Sequence, residues 1–311
     1  MTILVTGGTG FIGSSILRAL VNKNEKSIAN DLMPDLSLIG DISDKIEIVR
    51  GDVLDLPNLL RIIKNHEVDK VIHMVYLLID ASRENPYRAI EINIQGTNNV
   101  FEAARILDLE RVVFASSAGV YGPAEYYGGT SVEVDEESPT KPTTVYGACK
   151  VLNEFMLKVY SERYDLDLIA LRPTQVYGPG RTRGGVAFMS RLIEDPARGK
   201  PVVLAYPPDQ EHDWLYVKDT ADAFVTACFA KKPKHDIFNI AGGTHTLEEA
   251  AKYIKELIPD AKITFGDKPV GWVSRYNSTR AANELGIRPK YSLKSGVEEI
   301  VESARRKKEK N

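Results

Sequence analysis

Sulfur chemistry has almost no foothold in this chain. Cys149 and Cys228 are its only cysteines, and they lack the close spacing that holds a metal. So few thiols fit a reducing, cytoplasmic setting. An excess of one charge is lacking too. Forty Lys and Arg stand against 43 Asp and Glu, a net charge of −3, which gives no reason to expect nucleic acid or an anionic membrane as partner. No apolar run approaches the length of a membrane span. Residues 1–6 read as an opening strand rather than a signal peptide. The basic run Arg305-Arg306-Lys307-Lys308 reads as a solvated helix end that complements the helix dipole. No internal repeat is visible.

What is present is the pattern of a globular α/β chain. With 43% hydrophobic and 27% charged residues over 311 positions, it is long enough for one large domain or two lobes. Strand and helix signals alternate: strands at 2–6, 26–31, 46–49, 71–74 and 111–115, helices at 11–22, 57–66 and 84–107. Such alternation predicts a doubly wound parallel sheet, a Rossmann fold, covered on both faces. Residues 121–145, rich in Gly, Pro, Ser and Thr, read as a loop before a helix at 145–163 and a strand at 168–171. After Arg172-Pro173 the pattern breaks into short elements, with a helix at 217–230 and a strand at 237–240 returning to the first lobe. The expected division is a dinucleotide-binding domain of 1–172 with 213–240, and a smaller α/β substrate lobe of 173–212 with 241–311.

Two motifs carry chemistry. Thr6-Gly7-Gly8-Thr9-Gly10-Phe11-Ile12-Gly13 directly follows an apolar strand and opens a helix. A glycine turn there lets backbone approach a pyrophosphate, and the helix start supplies free N–H groups. Asp31, at the end of the second strand and about twenty residues past the glycines, is placed to accept from ribose hydroxyls and to repel a 2′-phosphate, so NAD is expected over NADP. Asp52 in Gly51-Asp52-Val53 has two equal readings, the adenine edge or a turn. The second motif is Tyr146-Gly-Ala-Cys-Lys150. Four residues apart, Tyr146 and Lys150 share one helix face. An ammonium beside the phenol favours the phenolate, which makes Tyr146 a proton acceptor for a secondary alcohol. Ser117, at the end of the fifth strand, can hold the same oxygen.

With these motifs the chain resembles the extended short-chain dehydrogenase/reductase family, the NAD-dependent sugar epimerase/dehydratase group. The matching pieces are the glycine turn, Gly51-Asp52-Val53, His73, Asn93-Ile-Gln-Gly-Thr97, Ser116-Ser117-Ala-Gly-Val-Tyr-Gly122, Tyr146 to Lys150, Val176-Tyr-Gly-Pro179, Tyr216-Val-Lys-Asp219 and Glu284-Leu-Gly286. The resemblance implies that Ser117, Tyr146 and Lys150 are catalytic and that Asn93 helps organise the site. It implies cofactor contacts from Gly7, Gly10, Phe11, Ile12, Gly13, Asp31, Asp52, Val53, Met74, Asn93, Ser116, Tyr146 and Lys150, with Pro173 and Val176 lining the cleft. Ala118-Gly119 stand where sugar dehydratases carry an acidic pair, so the resemblance leaves an epimerase of a nucleoside-diphosphate sugar, in the manner of UDP-glucose 4-epimerase, or an NAD-dependent dehydrogenase of a smaller hydroxy substrate such as a sugar acid. It also implies a homodimer, built on the helix of Tyr146 (Val151, Phe155, Leu157, Val159) and the long helix before the fifth strand (Val100, Phe101, Ala104, Leu107).

The substrate end departs from the family pattern. Gln175 replaces the usual Asn, and His212 stands where an arginine normally meets the diphosphate. No second arginine is evident around Lys268–Val273, and Met74, Val75 and Tyr76 replace small residues near the nicotinamide. Arg181 and Arg183 have two equal readings, as anion contacts or as solvated loop charges. Tyr76, Ser117, Gln175, Arg181, Arg183 and His212 are the expected substrate-facing residues. No metal ligand is expected, since His212 has no second ligand nearby.

Overall fold

The apolar runs of the sequence line up as seven parallel strands. The computed structural model describes the backbone of residues 1–309 and side chains through Arg306; of the basic run, the Lys307 and Lys308 side chains therefore lie outside the described residues. The strands are β1 (Thr2–Thr6), β2 (Lys26–Asp31), β3 (Glu47–Arg50), β4 (Lys70–His73), β5 (Arg111–Ala115), β6 (Leu168–Pro173) and β7 (Ile237–Ile240). Their spatial order is β7-β6-β5-β4-β1-β2-β3, with every pair parallel. Sheet growth reverses between β1 and β4, and that reversal opens a crevice at the carboxyl ends of the two strands.

Helices cover both faces, so strands such as β1 are buried throughout. On one face lie α1 (Phe11–Asn22) and, later in the chain, Val217–Phe229; on the other lie α2 (Leu56–Asn65), α3 (Thr97–Ile106) and α4 (Val145–Tyr164). Strand β5 shows the period of two directly. Val113 and Ala115 enter the first core, Val112 and Phe114 the second.

The helix expected over 84–107 is not continuous. Pro86 starts a new short helix, Pro86–Ile90, capped by the Asn85 side chain on the Arg88 N–H. Residues 91–96 then form a π-turn before α3 begins. Such single wide turns leave a carbonyl free for other partners. The 121–145 segment, expected as loop, carries a short strand, Glu133–Val134, paired with Arg275–Tyr276 from far along the chain.

Beyond β6, α5 (Ala187–Ala197) and, after β7, two further helices, Leu247–Leu257 and Leu293–Glu309, pack together. Val202–Val203 pairs with Ile263–Thr264, and Glu211–Asp213 with Thr244–Thr246. These pairings join the segments 173–212 and 241–311 to each other. One continuous apolar core runs from Ile3 and Leu20 to Phe188, Leu247 and Val297.

Of the apolar surplus expected on α3 and α4, Phe155 and Val159 are exposed while others are buried. Val100, Phe101, Ala104 and Leu157 pack into the core beside the sheet. The large apolar residues left outside on α4 are Leu152, Phe155, Val159 and Tyr164, at 46%, 64%, 57% and 47% exposure. No described helix is long and apolar enough to cross a membrane.

Candidate active site

The glycine turn links β1 to α1 by close backbone contact. Gly7 has φ +67°, in the left-handed region, and donates its N–H to the Asn30 carbonyl at 2.8 Å. A Cβ on Gly13 would stand 2.2 Å from the Gly7 oxygen, so only glycine lets the helix start this near the strand. Gly10 caps α1 without any side-chain hydrogen bond, which leaves the first N–H groups of the helix to a ligand. Phe11 and Ile12 open that helix, and Ile12 lines the cleft beyond. This cradle fits a dinucleotide pyrophosphate.

The flanking carboxylates differ. Asp31 accepts from the Thr9 hydroxyl at 2.7 Å and from the Met33 N–H at 3.3 Å, which fixes its side chain beside the turn with lone pairs to spare. Asp52 accepts from the Leu54 N–H at 3.0 Å, a turn-forming bond. The buried Val53 takes the Asn99 amide on its carbonyl. Met74 donates its N–H to the Thr6 carbonyl, closing β4 against β1 under the turn.

Asn93 is fully buried in the π-turn. Its side chain clamps the loop after β4, accepting from the Leu77 N–H at 2.8 Å and donating to the Leu77 carbonyl at 3.1 Å. The carbonyl of Asn93, freed by the wide turn, accepts from Asn153 at 2.7 Å and from Thr97 at 2.9 Å. Asn153 was not singled out from the sequence. Its signal is its spacing, three residues past Lys150 on the same buried face of α4. His73 bridges the hydroxyls of Thr6 and Thr97, and burial drops its pKa to about 3, so it is a neutral strut.

Tyr146 enters the cleft from the first turn of α4, which the Thr144 hydroxyl caps on the Gly147 N–H. Burial raises the phenol above its usual value, while a hydrogen bond from Ser117 and the charge of Arg181 pull it back. The sequence assigned that lowering to Lys150; here Lys150 faces elsewhere. Its ammonium donates to the Ala115 carbonyl and lies 3.0 Å from the centroid of the Tyr76 ring, against 5.4 Å for that of Tyr146. Burial also draws Lys150 well below the usual lysine value. Tyr76, expected to face the substrate, instead backs the catalytic pair. Its ring meets Tyr146 edge-on at 5.5 Å and its hydroxyl takes the Asn153 amide at 2.6 Å, because the phenol fills the space under Lys150.

Ser116 and Ser117 follow β5. Ser117 accepts from the Gly119 N–H at 3.0 Å and keeps its own proton for the cleft. Ser116 donates to Glu154 at 2.5 Å, and Glu154 holds Arg172 in a two-pronged pair at 2.7 Å each. The pair is buried on both sides. Removing either partner would cost about 3–5 kcal/mol by stranding a buried charge.

Ser116, Ser117 and Tyr146 open on one cleft of about 250 Å³. Its walls include Ser116, Ser117, Tyr146, Pro173, Gln175, Val176 and Arg181, with Trp272 and Tyr276 from the second lobe. Arg183 is exposed outside it. His212 is buried behind Gln175, its Nδ1 3.0 Å from the Gln175 amide oxygen, with Phe188 and Trp272 rings around it. Burial drops its pKa to about 4, so this ring is neutral where an arginine was missed. A larger hollow of about 370 Å³ near Arg280 and Lys158 holds charges that largely satisfy one another, Arg280 with Glu136 and Glu137 and His235 with Glu284. Among the described residues no cluster of three metal-ligating side chains occurs.

The sequence pattern of the NAD dependent epimerase/dehydratase family matches residues 3–241. A putative UDP-glucose 4-epimerase of Methanocaldococcus jannaschii is 34% identical over 305 residues, 96% of this chain and 97% of that one. The UDP-glucose 4-epimerase of Thermus thermophilus, solved in complex with NAD, superposes with a TM-score of 0.85 at 27% identity, over 98% of this chain and 99% of that one. A partial-consensus L-threonine 3-dehydrogenase reaches a TM-score of 0.88 at 22% identity, over 98% and 100% of the two chains, a likeness of fold alone.

Proposed function

The chain belongs to the NAD-dependent epimerase/dehydratase family, and on that premise we propose that it epimerises a nucleoside-diphosphate sugar through a transient ketone. The observation that carries the reading is that Tyr146 and Ser117 line one cleft together with Ile12, from the helix that the glycine turn opens. Gly7 to Gly13 would hold the pyrophosphate of NAD and Asp31 its ribose, and the bound cofactor would serve as hydride acceptor. Ser117 holds the substrate hydroxyl while Tyr146 takes its proton. Lys150, kept against Ala115 and Tyr76, steadies the end of α4 from which Tyr146 reaches. Burial around the phenol keeps water from competing for the proton. Pro173 and Val176 line the same cleft, and its walls at Trp272 and Tyr276 would keep the ketone in place. The likeness to two UDP-glucose 4-epimerases supports the choice of outcome.

A second reading is favoured by one observation. The buried, neutral His212, tied to Gln175, offers no charge to a diphosphate. A dehydrogenase acting on a smaller hydroxy acid would need none. The two readings part in one experiment. Purified protein, expected to retain part of its NAD, is given UDP-glucose, and UDP-galactose is expected without net NADH. NADH that accumulates with a free hydroxy acid, with no sugar nucleotide turned over, would replace the first reading by the second.

We further propose a homodimer through the outer face of α4, Leu152, Phe155 and Val159, with Tyr87 and Ile90 of the neighbouring short helix. Phe155→Glu is expected to convert a sedimenting dimer to a monomer; a monomeric wild type at micromolar concentration would end the proposal.

A further inference from the structure

Lys150 is a buried cation without an anion. Among the described residues it makes no ion pair, and its ammonium donates to the neutral Ala115 carbonyl, which leaves two of its three N–H groups for other company. None of the groups around it supplies a negative charge. Glu154, one turn along α4, is spent on Arg172 and Ser116. Cys149, its neighbour in the chain, is pushed up by burial and keeps its proton, and His73 at the end of β4 is neutral. Arg181, which faces Tyr146, carries charge of the same sign. What meets the ammonium instead is aromatic. The ring centroid of Tyr76 lies 3.0 Å from Nζ and that of Phe114 4.8 Å. The negative face of a ring attracts a cation, most strongly where water is excluded.

Two contacts fix the Tyr76 ring in that place. Its hydroxyl takes the Asn153 amide at 2.6 Å, and Asn153 is anchored in turn on the Asn93 carbonyl at 2.7 Å. Tyr146 meets it edge-on at 5.5 Å. Tyr76 does not line the cleft, so any effect it has on the chemistry runs through Lys150 and Tyr146. It stands where the family pattern has small residues, which makes this support a feature of this chain.

We propose that Tyr76 is a positioning residue for the proton transfer: its ring face is the counter-group that keeps Lys150 an ammonium beside Tyr146, in a site that supplies no anion. A protonated Lys150 stands 5.4 Å from the Tyr146 ring centroid, near enough to favour a phenolate, whereas a neutral amine gives no such help. Burial draws Lys150 well below the usual lysine value, so its charge depends on what faces it. The proposal rests on Tyr146 as the proton acceptor and holds for either overall outcome.

The test reads Lys150 by NMR in the full-length protein, with lysine isotope-labelled at Cε and the Lys150 signal assigned by its loss in Lys150→Met. In the wild type the protons on Lys150 Cε are expected upfield of those on the other lysines, since a ring shields groups held over its face. Tyr76→Leu, of similar bulk but without a ring, is expected to lose that shift. It should also lower the pH at which Lys150 gives up its proton by about one pH unit, the scale of a desolvated cation–π contact. Tyr76→Phe is expected to keep both the shift and the titration point. The alkaline limb of the turnover profile should move down with Lys150 in the Leu variant and stay in the Phe variant. A wild-type Lys150 signal among the other lysines overturns the proposal, as does a Leu variant that titrates with the wild type. Equal changes in the Leu and Phe variants would assign the effect to the hydroxyl bond with Asn153, and the proposal fails. It fails too if Lys150 titrates as expected and the limb does not follow. Should the Leu variant not melt cooperatively, Tyr76→Met, also without a ring, takes its place. The NMR titration needs no turnover, so it stands apart from whether sugars are epimerised.

Discussion

The two ends of the cleft are made of different material. The cofactor end is backbone: a glycine at φ +67°, a helix start with open N–H groups, and contacts too tight for any Cβ. The substrate end is side chain: Gln175 bound to His212, Arg181 without a counter-ion, and Trp272 and Tyr276 from the second lobe. A backbone site tolerates few residue types and so repeats from relative to relative. A side-chain site changes its chemistry with one substitution. This is why family membership is plain here while the substrate is the open quantity.

The strongest way to test the contrast is at the junction of the two ends. Tyr146→Phe is expected to lower turnover by at least about a hundredfold, the scale of general acid–base catalysis, and to leave NAD affinity nearly unchanged. Stopped-flow rates beside calorimetric NAD titration check both halves; a variant with most of its activity would take Tyr146 out of the mechanism. At the cofactor end, Asp31→Ala is expected to weaken NAD on the order of tenfold and to narrow the gap to NADP, since the carboxylate that repels a 2′-phosphate is gone. An unchanged NAD to NADP ratio would remove Asp31 from the ribose site. Between the ends, Tyr76→Ala should slow turnover about tenfold by taking the ring from under a desolvated Lys150 ammonium, whereas Tyr76→Phe keeps the ring and most of the rate. Equal losses in the two variants would show that the hydroxyl bond to Asn153, not the ring, matters.

The smallest effect concerns pH. His73 and His212 are buried and hard to protonate, near 3 and 4 against the usual 6.5. Between those values and 6.5 the unfolded chain binds the extra protons. Their contribution is therefore complete above about pH 6.5 and is lost as pH falls, at up to about 1.4 kcal/mol per unit for each ring. Urea melts from pH 7 to 5 should show His212→Gln with a shallower decline than wild type. Parallel declines would mean that His212 takes up protons equally in both states.

The sequence alone was readable where local rules decide. β1, α1, β5 and β7 fall on the residues that apolar runs and the glycine turn mark out. It was unreadable where distant residues decide. Periodicity carried the helix of 84–107 across Pro86 and could not show the wide turn at 91–96. Glu133–Val134 is a strand only because Arg275–Tyr276 lies beside it. Val100 and Phe101 looked like surplus surface because burial against a sheet leaves the same apolar letters as burial against a partner. At the site, Tyr146 and Ser117 share the cleft lining, while Tyr76 lies behind it, a direction that sequence spacing does not encode.

The wide turn over Glu91–Gly96 holds one residue more than a regular α-helical turn would. Deleting that residue would restore a regular spiral and a full ladder of backbone bonds. It would also rotate everything upstream by about 100° relative to α3, a single residue's worth of helical phase. Asn93 would then swing away from Leu77, and the loop that carries Tyr76 under the catalytic pair would lose its clamp. The surplus residue works as a phase shifter, and shortened forms of this chain should catalyse less.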